Sequence, residues 1–388
     1  MKNLTLLFIC ISTSIFAQNN EVFLFNLTKD GVLKNRQNIS NNFGYDSQPS
    51  FYTENKILFA SNRNGETDIL LYDSNSNIKI GFLSQTPKGG EYSPQRIPNS
   101  NNVSAVRLDK DGLQRFYQYN FKTKQPQELI AELKVAYPMW YDKNTVVSAV
   151  IGEKDLELVI SSIKSKANYT IQKKVGRSFH HIPNSNLVSY ISKENEQWEI
   201  RSLNVQTKKT QKIIHTSGNH EDICWLPNGT ILQAKGNQIL KFNPKTDTDW
   251  SVFHSFKDSS LYKISRIIVN KVGTKMAIVA QENPEFFADR QLAAYNNRDI
   301  ETFVNAFAKD VKVYSFPNTL NYTGREEMKK RYAGFFTNTK DLHCKIVKRI
   351  VRGNKVIDEE LVTANGRTFG AVAIYEIVGG EIISVTFM

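Results

Sequence analysis

The chain of 388 residues carries a formal net charge of +12 and 40% hydrophobic residues, which leaves room for two or three domains and an ample core. Residues 283–388 contribute +2 and the rest +10, with basic side chains scattered through turns as at Lys173-Lys174 and Lys208-Lys209. That is the pattern of a solvated face, open to anionic lipids, glycans or acidic proteins. Only three cysteines occur, which excludes a disulfide-stapled scaffold.

The first element is a secretory signal over residues 1–17. Met1-Lys2-Asn3 gives a positive start, Leu4–Phe16 is an uncharged and mostly apolar run, and the small Ala17 precedes Gln18. The run is too short to span a bilayer comfortably, so a cleaved signal is expected rather than an anchor. Ile9 stands before Cys10 where lipid attachment would want a small residue. No later stretch is apolar enough to cross a membrane. The expectation is an exported bacterial protein, periplasmic or secreted to the outer surface, and therefore no nucleic-acid partner. Cleavage leaves Cys224 and Cys344, both expected to be buried and inert.

Residues 18–282 are repetitive. Ile97-Pro98-Asn99-Ser100-Asn101-Asn102-Val103-Ser104 returns 85 residues later as Ile182-Pro183-Asn184-Ser185-Asn186-Leu187-Val188-Ser189. Half that spacing also recurs: equivalent strand starts fall at Pro49, Pro94, Pro138, Phe179, Ile223 and Arg266. A period of roughly 40–50 residues marks an array of four-stranded blades. The clearest unit runs from Ser47-Gln48-Pro49-Ser50-Phe51 through Lys56–Arg63 and an Asn64-Gly65 hairpin tip to Asp68–Asp73. Pro-x-Phe, an apolar strand, Ser-Asn-Arg, a glycine-bearing tip and Asp-Ile resemble the TolB-like propeller repeat over roughly residues 21–280. The last unit stops after Met276–Ala280, and Glu21–Asn26 reads as the orphan strand that closes a six-bladed ring.

Two positions after each strand start stand Phe51, Arg96, Trp140, His181, Trp225 and Ile268, whose large apolar members read as packing between blades. Three positions before the starts, Asp46, Glu91 and His220 are expected on the channel rim. Ordinary solvated residues are the simpler reading there; a cation or basic peptide is the sharper one. His180-His181 point to opposite faces of a strand and, with His215 and His220, do not make a metal site. No metal or other cofactor is expected.

From Glu285 the apolar spacing becomes helical: Phe287, Leu292 and Tyr295, then Ile300, Phe303, Val304 and Phe307. Asp299 fits an N-cap. A strand at Val311–Phe316 precedes a third helix from Gly324 through Phe336. Strands at Leu342–Arg352, Lys355–Thr363, Thr368–Val378 and Glu381–Phe387 follow, with turns at Gly353-Asn354 and Gly379-Gly380. The run Arg290–Asp299, Ala308–Val313, Gly324-Arg325-Glu326 and Val372–Ile377 with Gly380-Glu381-Ile382 resemble the SnoaL-like branch of the nuclear transport factor two-like superfamily. That resemblance implies, for residues 283–388, an α+β cone: a curved antiparallel sheet on three helices around an apolar cavity.

The same resemblance brings ketosteroid-isomerase chemistry into question. Its carboxylate base falls on Ser315 or Phe316, its tyrosine on Gln291 and its protonated acid near Ala373, so none of the three carries over. No nucleophile elbow, zinc helix or phosphate loop occurs in the chain. Candidate cavity residues are Tyr295, Tyr314, Phe316, Tyr332, Phe336, His343, Asp358, Glu360 and Phe387. The one catalytic candidate is His343 paired with Asp358 or Glu360. The expected architecture is therefore an all-β six-bladed propeller followed by an α+β cone. The expected function is exported, non-enzymatic binding. The propeller would meet an envelope protein or glycan, and the cone would hold a small apolar ligand or form a homodimer. The alternatives are a cone-domain isomerase, lyase or hydrolase, or a structural envelope scaffold.

Overall fold

The computed structural model describes residues 20–388, apart from 43, 64, 88 and 257–259. The signal segment and the Asn64 half of the first hairpin tip lie outside the described residues. None of the described helices is long and apolar enough to cross a membrane.

Residues 20–282 form six four-stranded blades. Their innermost strands are Asp46–Phe51, Gly90–Arg96, Val135–Trp140, His180–His181, Ile223–Trp225 and Leu261–Val269. The expected strand starts fall on or within one residue of these strands. Ring closure uses more of the N-terminus than the single orphan strand expected. Asn20–Leu27 pairs with Lys275–Glu282, and Leu33–Asn38 then pairs on its outer side. The sixth blade thus takes two strands from each end of the propeller sequence.

The closing strand reads NEVFLFNL and is buried on both faces, as a nearly continuous apolar run requires. Val22 and Leu24 pack with Ile57, Phe59 and Leu70 of the first blade. Phe23 and Phe25 pack with Leu232 and Ile239 of the fifth. Period-two alternation therefore joins the two neighbouring blades through one strand.

The repeat also governs polar contacts between blades. Trp140 Nε1 donates to Ser104 Oγ and Trp225 Nε1 to Ser189 Oγ, each at 2.8 Å and each across 36 residues. Tyr52 and Tyr141 hydroxyls donate to the carbonyls of Asn101 and Asn186. Trp140 and Trp225 are buried, so they serve packing between blades.

The last blade strand ends at Glu282, and α1 (Pro284–Asn297) begins two residues later. Next come α2 (Ile300–Val304), capped by Asp299 as expected, and α3 (Arg325–Asn338). The sheet order is Thr319–Thr323, Phe307–Ser315, Glu381–Phe387, Arg367–Val378, Lys355–Ala364 and His343–Arg352. Two details differ from the sequence reading. The first cone strand already begins at Phe307, and Thr319–Thr323 adds a short, mostly exposed edge strand. One sheet face packs on the helices through Phe287, Phe303, Phe307, Val356, Ala373 and Ile382.

Candidate functional site

Helices and sheet enclose a pocket of about 150 Å³. α1 contributes Gln291, Leu292 and Tyr295, at the three- and four-residue spacing that stacks side chains on one helix face. α2 contributes Phe303, and α3 Met328 and Tyr332. The sheet supplies Cys344, Glu360, Val362, Tyr375 and Phe387. In Lys355–Ala364 alternate residues from Val356 to Ala364 are buried, which turns both Asp358 and Glu360 inward.

Their fates differ. Arg349 Nε and Nη2 donate to the two oxygens of Asp358 at 2.6 and 2.7 Å, a bidentate ion pair next to the pocket. Arg349 Nη1 also reaches Asp289 on α1 at 2.5 Å. Glu360 has no such cation. Its Oε1 accepts from the Tyr375 hydroxyl at 2.9 Å, and that hydroxyl accepts from Gln291 Nε2 at 3.1 Å. Burial raises the Glu360 carboxyl above the usual range. The nearby Asp358 adds to this, while the Tyr375 hydrogen bond opposes it. Burial likewise raises the Tyr375, Tyr332 and Tyr295 hydroxyls and pushes the Cys344 thiol up to about 12.

The structure brings together Tyr295, Tyr332, Glu360 and Phe387 of the expected cavity set. Phe336 lies beneath them, its ring 5.5 Å from Tyr295 and 5.8 Å from Tyr332. Tyr314 and Phe316 fall outside the pocket, and Phe316 is 58% exposed. His343 must be corrected: it is exposed, sits opposite Thr363, and the next residue, Cys344, takes the inward position. Asp358 is held by Arg349 and Glu360 sits opposite Ile346, so no His343–carboxylate pair forms. Sequence reasoning missed Tyr375 as the partner of Glu360 and Gln291 as the partner of Tyr375. Their signals were an i,i+4 run through Phe287, Gln291 and Tyr295, and alternation through Ala373, Tyr375 and Ile377.

The expected rim set also separates. Asp46 and Glu91 are fully buried, while His220 is exposed. Asp46 accepts from Ser61 Oγ and Asn42 Nδ2, each at 2.5 Å, and Glu91 accepts from Tyr119 at 2.8 Å. Burial pushes Glu91 up to about 7. These are internal carboxylates, Asp46 held by Ser61 on the adjacent strand and by Asn42, and Glu91 held by Tyr119 two strands away. His180 is half-buried, and desolvation of its ring lowers its pKa to about 4, while His181 stacks on Tyr141 with ring centroids 5.7 Å apart. Among the described residues no group of three His, Cys, Asp or Glu is arranged to hold a metal ion.

The structure itself defines the class, a six-bladed propeller joined to an α+β cone, and the family match adds to it for the cone alone. The sequence model of the SnoaL-like domain family matches residues 288–385. A cystatin-fold protein from Novosphingobium aromaticivorans is 24% identical over 27% of this chain and 97% of its own, with a TM-score of 0.26. An NTF2-like protein of unknown function from Cytophaga hutchinsonii is 18% identical over 28% and 90%, with a TM-score of 0.25. An oligogalacturonate lyase in complex with manganese is 13% identical over 69% and 92%, with a TM-score of 0.45. No curated protein matches the chain.

Proposed function

We propose that this is an exported binding protein whose cone domain takes up a small, mostly apolar molecule bearing one hydrogen-bonding group. The observation that supports this is Glu360 in an aromatic pocket of about 150 Å³. A cavity of that volume suits something of about benzene size, which argues against a steroid. A protonated Glu360 can donate to a carbonyl or hydroxyl on such a ligand, while Tyr295, Phe303 and Tyr332 surround its apolar body. The propeller would supply the contact to an envelope protein or glycan. A homodimer through the cone is supported by the sheet's outer face, where Ile350, Ile357 and Ile374 stand opposite one another across three strands. Ile350 is 52% exposed.

A second reading, proton transfer by Glu360 in a cone-domain enzyme, is favoured by its raised pKa and hydrogen bond to Tyr375. One experiment addresses both. Native mass spectrometry of the full chain from its own host should detect a bound small molecule, which Leu292→Trp should exclude by filling the pocket. An empty wild-type pocket, together with no response to a panel of small aryl ketones and phenols, would refute the binding reading. Turnover of a bound molecule that Glu360→Gln abolishes without loss of binding would establish the enzyme instead.

A further inference from the structure

We infer that the central channel of the propeller is a binding site for an organic anion carrying a carboxylate or phosphate group. The channel is a cavity of about 950 Å³ lined by the inner strands of all six blades. Its fixed charges are unbalanced: Arg96, Arg177, Arg266 and Lys271 face a single carboxylate, Asp222.

Not all of that charge is free to act. Arg96 lies over the Tyr52 ring and donates to the Ser100 carbonyl and to Asn101 Oδ1, so it clamps two blades together. Arg177 and Arg266 differ from it. Arg177 donates to both oxygens of Asp222, at 3.1 and 2.8 Å, and Arg266 Nη1 reaches the same carboxylate at 2.7 Å. Arg177 also approaches Glu221 at 3.5 Å, but Glu221 is shared with Lys193 at 2.8 Å. Three cations therefore meet two carboxylates, and one positive charge is left over. Arg177 Nη1 and Arg266 Nη2 make no hydrogen bond among the described residues.

Asp222 at the fifth blade ties Arg177 of the fourth to Arg266 of the sixth, so one carboxylate serves two guanidiniums. The second guanidinium adds a charge whose partial desolvation costs stability unless something offsets it. An anion entering the channel does so. Because Asp222 already fixes both guanidinium planes, their remaining N–H groups are held in place before a ligand arrives, which lowers the ordering cost of binding. Gln48, Ser93, Ser178 and Tyr137 add polar edges to the same cavity. Its volume admits an anion with a polar body, well beyond the single small ligand that the cone pocket can take.

The test is isothermal titration of the full-length protein at about 0.15 M NaCl, where long-range surface attraction is screened. The probes are citrate, glucose 6-phosphate and uncharged glucose. Saturable binding of citrate, glucose 6-phosphate or both is expected, with none for glucose, and the anion that binds identifies the head group. Arg266→Gln should weaken that binding by about tenfold, as expected for a lost charge-assisted hydrogen bond. Asp222→Asn should strengthen it, a gain that misfolding would not produce. The inference is overturned if neither anion binds better than glucose, if Arg266→Gln binds as tightly as wild type, or if folded Asp222→Asn shows no gain.

Discussion

Glu21→Gln should flatten the pH dependence of propeller stability. Glu21 is fully buried on the ring-closing strand, where Ser40 Oγ donates to it and the Asn42 N–H lies 3.2 Å away. Burial, with smaller contributions from the Asp46 and Glu282 carboxylates, raises its pKa from 4.5 to about 8. Below pH 4.5 the folded and unfolded chains both hold the proton, and the stability contribution is intact. Between 4.5 and about 8 only the folded chain retains it, so stability falls as pH rises. Each unit is worth about 1.4 kcal/mol, which over this window sets a ceiling near 5 kcal/mol. The dielectric response of real buried sites reduces this to about 2 kcal/mol. All four tryptophans, Trp140, Trp198, Trp225 and Trp250, lie in the propeller, so urea unfolding followed by tryptophan fluorescence reports on it. Relative to wild type, the glutamine variant should be about 2 kcal/mol more favourable at pH 8 than at pH 5. A difference between variant and wild type that stays the same at both pH values would refute the argument.

Three further outcomes follow from buried polar contacts. Trp225→Phe should cost about 1 kcal/mol through loss of the Ser189 hydrogen bond, and a double-mutant cycle with Ser189→Ala should recover a coupling energy of that order. Arg349→Met should lower the unfolding free energy of the cone, read by calorimetry, by about 3 kcal/mol, because it leaves the buried Asp358 carboxylate unpaired; Arg349→Met with Asp358→Leu should restore most of the loss. Cys224 and Cys344 are buried and their thiols are raised by burial, so Ellman's reagent should titrate neither in native protein at pH 8 and both in guanidinium.

The propeller was legible because each blade repeats one pattern of apolar strands, and the innermost strands recur wherever the chain re-enters the channel. Its second closing strand, Leu33–Asn38, was not legible. It reads LKNRQN, and an outermost blade strand facing water keeps no apolar period. Asp46 and Glu91 misled for a related reason. Residue type alone places a carboxylate at the surface. Their hydrogen-bond partners Ser61 and Tyr119 stand 15 and 28 residues away, across pairings that a single strand does not encode. In the cone, the aromatic set Tyr295, Tyr332 and Phe387 followed from helix and strand periodicity. The His343 pairing failed because strand register decides which of two adjacent residues turns inward, and a one-residue change reverses the answer.

The same alternation shows why Glu360, and not Asp358, is the group to watch. Both side chains point from one strand toward the helices, two residues apart, and the sequence makes them equivalent. Register does not, because it places Arg349 opposite Asp358 and the apolar Ile346 opposite Glu360. A bidentate guanidinium commits Asp358 to Arg349, which in turn ties the sheet to α1 through Asp289. Glu360 takes its hydrogen bonds from neutral groups, the Tyr375 hydroxyl and the Cys344 thiol, in a pocket whose walls are mostly aromatic and aliphatic. A carboxyl without a paired cation is the one that can change protonation when a ligand arrives. Glu360→Gln should therefore preserve the fold, keep any hydrogen bond donated to a ligand carbonyl, and remove the pH dependence of ligand affinity. Affinity of the glutamine variant that varies with pH as in wild type would assign the titrating group to another residue.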